Sequence, residues 1–283
     1  MATQPTAIST NSYPYAQLAT SAGASPEEFW PRATEMVHES GLQGWEPAVQ
    51  TPAHLKEHHA LASKAGLAMT SVYISKTPLH KAETSEECVA RIEACALAGR
   101  DLGVKIMAVN PDPIQWGGSE AKNDAQLRHQ ATALAQAGRA AAKYGVRLAY
   151  HWHTPEFAHG AREAHHMLRA TRAEELSICF DVHWAYRGCG NSNVAMLDLL
   201  DAYRDRIISL HIRQSQNHIW SETFGEGDVD YPEVARRLEG RKILLVLEQC
   251  GEAGTPKTLD PIEAARRSGD SARRLFSGVG SLS

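Results

Sequence analysis

The sequence predicts an α/β fold, a single (β/α)8 TIM barrel with a closed parallel sheet. Three observations predict it. Short β-type runs alternate with long Ala-rich helical stretches from end to end. Eight such pairs fit within roughly 250 residues, the usual size of this barrel. No glycine-rich phosphate loop follows the first run, which weakens the open dinucleotide-binding sheet. Gly225-Glu226-Gly227 is too short for that role and stands in the wrong place.

Residues 6–9 read as the first strand. Ser25-Pro26-Glu27-Glu28 then starts a helix with a capping serine, an early proline and early acids, and Gly41 stops it. Residues 42–46 form the second strand, Thr51-Pro52 opens the second helix, and Gly66 ends it. Residues 67–75 alternate and are β-branched, as a third strand should be. Thr84-Ser85-Glu86-Glu87 caps a third helix that Gly103 closes. The fourth strand is 104–109, followed by a loop through Gly118 and a helix over about 120–144. Strand five is 146–150, with a helix over 160–172; strand six is 176–180, with a helix over 193–203. Strand seven is 207–212, and Asp230-Tyr231-Pro232-Glu233 starts the helix that ends at Gly240. Strand eight is 242–247, and the last helix spans 261–276. No linker or domain boundary interrupts 1–283, and only 278–283 reads as a frayed tail.

Composition narrows the class. Hydrophobic content of 43% and charged content of 22% are ordinary for a globular chain. A net charge of −4 gives no basic surface for nucleic acid or an anionic membrane. No apolar stretch approaches the roughly 20 residues that span a bilayer. Residues 1–6 lack a basic region followed by an apolar core, so a cytoplasmic location is expected. The five cysteines form no CxxC pair and read as free thiols, Cys179 and Cys250 as buried ones. Of the 14 histidines, His58-His59, His129 and His165-His166 lie on helical stretches and read as surface.

The chemistry concentrates at strand ends. Leu148-Ala149-Tyr150 runs into His151-Trp152-His153, with Glu156-Phe157 just beyond. Ser177-Ile178-Cys179-Phe180 runs into Asp181-Val182-His183, Ile207-Ile208-Ser209-Leu210 into His211, and the run 242–247 into Glu248-Gln249. In a parallel barrel these C-terminal ends face one mouth, so distant residues meet. Imidazole nitrogen mixed with carboxylate oxygen suits a divalent ion such as Mn, Zn, Fe, Co or Ni. The candidate ligands are His151, Asp181, His211 and Glu248. Glu46 and Trp45, Trp116 and Trp184 are candidates for walling a substrate, and the aromatic loop 217–224 reads as a lid or substrate-recognition loop. Each has a bland alternative as packing or surface.

These segments together resemble the sugar phosphate isomerase/epimerase family, the xylose-isomerase-like barrels that include ketose 3-epimerases, inosose isomerases and inosose dehydratases. The resemblance covers nearly the whole chain and is strongest from Gly145 to Cys250. It implies one metal held by residues from strands five to eight. Asp181, His211 and Glu248 match the epimerase pattern, whereas His151 stands where a glutamate is expected. Either His151 ligates the metal or Glu156 reaches back to it. The symmetric scheme of two metal-bound glutamates is then in doubt, and the HxH…EF variant looks closer to the dehydratase and lyase-like branches. Arg213-Gln214 replaces the Lys-Asp pair of many relatives; arginine offers a planar fork of donors for hydroxyls, a carboxylate or a phosphate.

The expected reaction is proton abstraction next to the carbonyl of a ketose, keto-sugar or polyol-derived ketone, through an enediolate stabilised by one divalent ion. Mn is the first expectation; Zn, Co, Fe, Ni and Mg are alternatives. Glu248 is the first candidate base and Glu156 the second, with His153 or His183 returning or delivering a proton. Epimerisation, isomerisation and dehydration all share this first step. A metal-dependent hydrolase would need more ligands and, for a nuclease, a basic groove; a sugar-binding barrel without chemistry is the non-enzymatic alternative. The expected partner is a small sugar or polyol-derived ketone, with neither nucleic acid nor membrane; a homo-oligomer is compatible with the sequence.

Overall fold

A computed structural model of the chain describes residues 7–282; the readings made for residues 1–6 and for Ser283 lie outside them. Nine parallel strands form a nearly closed barrel, alternating with helices. They are β1 (Ile8–Asn11), β2 (Gly44–Glu46), β3 (Ala48–Val49), β4 (Ser71–Ile74), β5 (Ile106–Val109), β6 (Arg147–Tyr150), β7 (Ser177–Asp181) and β8 (Ile207–Ile212), followed after a short antiparallel pair, β9 (Ser215–Gln216) and β10 (Ile219–Trp220), by β11 (Lys242–Leu247). The order around the barrel is β2-β1-β11-β8-β7-β6-β5-β4-β3. Strands β2 and β3 flank Pro47, which has no N–H for the ladder, and together serve as one stave. The first half pairs with β1, the second with β4, which reduces nine strands to the eight staves the sequence predicts.

The helix starts follow from local chemistry. Ser25 Oγ accepts from the Glu28 N–H while the Glu28 carboxylate accepts from the Ser25 N–H, a reciprocal cap for Pro26–Glu39. Asn123 and Gln126 repeat this at the start of Asp124–Ala142, and Thr51 and Asp260 cap Pro52–Lys64 and Pro261–Leu275. In the helix Asp124–Ala142, a Cβ on Gly138 would stand 1.7 Å from the Glu175 carbonyl oxygen, so only glycine allows that close approach.

Several segments depart from the sequence reading: the helix Ala82–Arg100 starts after Lys81 without a side-chain cap rather than at Thr84, and Val182–Gly188 is a further helix. Residues Tyr13–Ser21 form a helix where the sequence reading places no element. The helix Ala158–Ala170 starts through three left-handed residues, His159, Gly160 and Ala161. The tail is not frayed where it is described: β12 (Gly280–Ser281) pairs in parallel with Lys242 and Ile243, and Val279 is buried.

Side-chain alternation along the strands places the site. Ile106, Ala108, Ala149, Cys179, Leu244 and Val246 share a small apolar cluster, distinct from the large one that binds sheet to helices. The pleat has a period of two. Two residues beyond Ala108, Ala149, Cys179 and Val246 stand Asn110, His151, Asp181 and Glu248. Register does the rest: His211 is the direct partner of Asp181 on one side and of Val246 on the other.

Candidate metal centre and cavity

One donor atom each from His151, Asp181, His211 and Glu248 lie within 4.8 Å of one another, all buried. His151 Nε2 is 3.5 Å from Asp181 Oδ2. His211 Nδ1 is hydrogen-bonded to Glu248 Oε2 at 2.8 Å. On its other side His211 Nε2 is 2.8 Å from Glu46 Oε1, and neither atom makes a hydrogen bond. Both ring nitrogens of His151 are likewise buried without a hydrogen-bond partner. Buried polar atoms are normally satisfied, so orphaned imidazole nitrogens facing carboxylates fit a metal site.

Charge supports the same fit. Three carboxylates, Glu46, Asp181 and Glu248, share this buried region with the guanidinium of Arg213. Arg213 Nη2 is 3.2 Å from Asp181 Oδ2 and 2.9 Å from Glu248 Oε1, and Nη1 donates to Cys250 Sγ at 3.1 Å. Its Cζ lies over both Trp184 and Trp220, 5.0 and 4.5 Å from the two ring centroids, which are themselves 5.6 Å apart. Burial by itself would raise the carboxyl pKa values of Asp181 and Glu248; the Arg213 charge and then the neighbouring imidazoles hold both well below the usual range. Burial likewise opposes the His211 imidazolium, but Cys179, Glu46 and Glu248 outweigh it and hold that ring well above its ordinary value. A divalent ion would offset the surplus negative charge that one guanidinium leaves.

Above the centre opens a cavity of about 850 Å3. Glu46, His151, Arg213 and Glu248 line its floor, with Asp181 and His211 in contact with them from beneath. His153, Trp116, Trp184, Trp220, Tyr13 and Phe157 form much of its wall. Trp116 is 57% exposed, which puts it at the rim. Trp220 arrives on the β9–β10 hairpin, whose turn residues Asn217 and His218 are left-handed and donate their N–H groups to Asp228. Glu252 accepts from the Trp220 N–H and pairs with Arg187, so this segment is a pinned hairpin.

The fold gathers most of the residues singled out in the sequence and separates the others. Glu46 stands beside His211 and accepts from Ser71 Oγ, while Trp45 is not at the mouth: it is buried among Tyr15, Trp30 and His58. Glu156 does not reach back to the centre. Its Oε2 accepts from the His153 N–H at 2.8 Å and its Oε1 from Asn110 Nδ2 at 2.9 Å, and it does not line the cavity. Burial first, then Glu163, raise its carboxyl pKa. His183 is also off the cavity, buried in the helix Val182–Gly188 beside Tyr186 and Trp220; burial and then Arg213 push its pKa down to about 3. His153 does line the cavity, its ring 4.9 Å from that of His151, and burial with His151 pushes it down to about 3. His58 is buried rather than on the surface. Sequence reasoning missed Asn110, which ends β5 as His151 ends β6; the strand-end rule would have found it.

The family model described as xylose isomerase-like TIM barrel matches residues 34–275. The chain belongs to that family. No functionally curated protein matches it in sequence. Among solved structures, an L-ribulose 3-epimerase superposes with a TM-score of 0.71 at 16% identity, covering 96% of this chain and 95% of its own. A xylose isomerase-like TIM barrel protein from Mycobacterium smegmatis in complex with magnesium gives 0.71 at 14% identity, covering 99% and 100%. The 3-keto-D-glucoside 4-epimerase of E. coli gives 0.66 at 18% identity, covering 96% and 99%. At such identities the likeness carries the fold alone. Among the described residues no helix is long and apolar enough to cross a membrane.

Proposed function

We propose that this xylose isomerase-like barrel is a divalent-metal-dependent isomerase or epimerase of a ketose or keto-sugar. The observation that carries the reading is the buried set His151, Asp181, His211 and Glu248 at the floor of a cavity large enough for a sugar. The names of structural neighbours support it: an L-ribulose 3-epimerase, a 3-keto-D-glucoside 4-epimerase and a barrel crystallised with magnesium. A divalent ion at this site, Mn in the first instance, would supply Lewis-acid polarisation of the substrate ketone.

The protein side of the chemistry follows from the geometry. Glu248 is ionised throughout the neutral range and lines the cavity, so it is the base that takes the proton next to the ketone. Arg213, packed over two indoles, holds that carboxylate and lines the cavity with its Nε–H still without a partner, a donor for a substrate oxygen. Trp116, Trp184 and Trp220 present aromatic surface to the apolar side of a sugar ring and exclude water from the enediolate. Glu156 serves as a positioning residue, because it does not line the cavity and it fixes Asn110 and the His153 N–H.

A second reading keeps the first step and replaces reprotonation with loss of a β-substituent, giving a dehydratase or lyase on an inosose or a 3-keto-glycoside. The cavity volume favours the glycoside within it: about 850 Å3 lies towards the upper end of the roughly 300–1,000 Å3 of sites that bury drug-sized ligands, more than one sugar ring fills.

Deuterium uptake from heavy water tests the proposal. With Mn present, a panel of ketoses, inososes and 3-keto-glycosides is expected to include a compound that gains carbon-bound deuterium, and Glu248→Gln should abolish that gain. Uptake that persists in Glu248→Gln overturns the base assignment; no uptake from any member overturns the reaction.

A further inference from the structure

We propose that Asn110 is a positioning residue that locks His153 in the tautomer carrying its proton on Nδ1, so that Nε2 meets the substrate as a hydrogen-bond acceptor. Asn110 is 2% exposed at the end of β5, and its side-chain amide is enclosed by three partners. Nδ2 is 3.1 Å from the His151 carbonyl oxygen and 2.9 Å from Glu156 Oε1. Oδ1 is 3.0 Å from His153 Nδ1.

The orientation of this amide is decided by the His151 carbonyl. A carbonyl oxygen only accepts, so the amide nitrogen must face it, whatever the protonation of Glu156. A flipped amide would set two acceptors face to face in a buried place, leaving both without a donor. Oδ1 therefore faces His153 Nδ1 and needs a donor there, which puts the ring proton on Nδ1. A neutral imidazole has one N–H, so Nε2 carries a lone pair. His153 lines the cavity, its ring in edge contact with Trp116 and Trp184 at 5.4 and 5.3 Å, and Nε2 is the nitrogen left for a ligand.

The lock matters because free histidine in water prefers its proton on Nε2, the opposite tautomer. Asn110 converts a donor into an acceptor at the cavity wall. An acceptor there selects a substrate that offers a hydroxyl and disfavours a carbonyl or carboxylate oxygen at the same point. This consequence rests on the keto-sugar reading; the tautomer itself does not. Glu156 completes the device by fixing the His153 N–H and the Asn110 amide together, which gives a buried carboxylate off the cavity a purpose.

Nitrogen NMR of the full chain, labelled at histidine with 15N and held near pH 7.5 with the diamagnetic ion Mg, tests this directly. His153→Gln identifies the His153 signals by their loss. The wild type is expected to show a protonated Nδ1 and a bare Nε2, and Asn110→Ala to shift the equilibrium to a protonated Nε2. A wild-type spectrum with the proton on Nε2 overturns the proposal, even if Asn110→Ala does not fold. In the deuterium assay Asn110→Ala should raise KM at least about tenfold while kcat changes less than about threefold; an unchanged KM overturns the substrate half. Failure of the wild type to exchange any sugar overturns the reaction, and with it the substrate half, while the spectrum still judges the tautomer.

Discussion

Arg213 and Glu248 form a buried ion pair, Nη2 to Oε1 at 2.9 Å, and the same nitrogen sits 3.2 Å from Asp181 Oδ2. One guanidinium thus compensates two carboxylates that the barrel places at the cavity floor. Removing one partner of such a pair leaves uncompensated buried charge, which costs about 3–5 kcal/mol.

Arg213→Met is therefore expected to lower stability by that amount in the presence of a chelator. Denaturant unfolding followed by circular dichroism measures it. A variant as stable as the parent would show that Asp181 and Glu248 do not depend on Arg213.

Glu156 and Glu248 should separate cleanly. Glu156→Gln can still accept one of the two hydrogen bonds, from Asn110 Nδ2 or the His153 N–H, and the residue lies off the cavity, so deuterium exchange should survive within about tenfold, whereas a lost general base costs about 10²–10⁴-fold. Equal loss in Glu156→Gln and Glu248→Gln would contradict the positioning role of Glu156.

His58 predicts part of the acid limb of stability. Burial, then His54, push its pKa from 6.5 down to about 4, and its Nδ1 accepts from Trp45 Nε1 at 3.4 Å. The unfolded ring takes a proton as pH falls through 6.5, and the folded ring resists until about 4. Its contribution is thus complete above 6.5 and lost progressively between those values, up to about 3 kcal/mol in all. Thermal melts at several pH values should show a smaller drop from pH 7 to pH 5 in His58→Gln than in the parent. Parallel drops would mean that the folded ring titrates normally.

The barrel and the buried cluster of His151, Asp181, His211 and Glu248 were legible because two simple rules generate both. Eight β-type runs alternating with helices admit few topologies, and a period of two carries Ala149, Cys179 and Val246 into His151, Asp181 and Glu248. What stayed hidden depended on contacts between distant segments. Whether Glu156 points to a metal or to Asn110 is decided by a strand 46 residues away. His183 follows Asp181 closely in sequence, but the helix that begins at Val182 turns its ring away from the cavity. His58 was legible in principle: Leu55, His58 and Ala62 share one buried helical face, a spacing that should have outweighed the polarity of the ring. The helix Tyr13–Ser21 lacks a side-chain cap to announce it, and its proline stands in the first turn, where the helix needs no N–H.

Metal content per chain tests the central claim most directly. Protein loaded with Mn, freed of excess ion by gel filtration and analysed by inductively coupled plasma mass spectrometry, should hold about one divalent ion per chain. Asp181→Ala and His211→Ala, shown to be folded by circular dichroism, should hold almost none. A parent that retains no ion, or variants that retain as much as the parent, would contradict a metal centre built from His151, Asp181, His211 and Glu248.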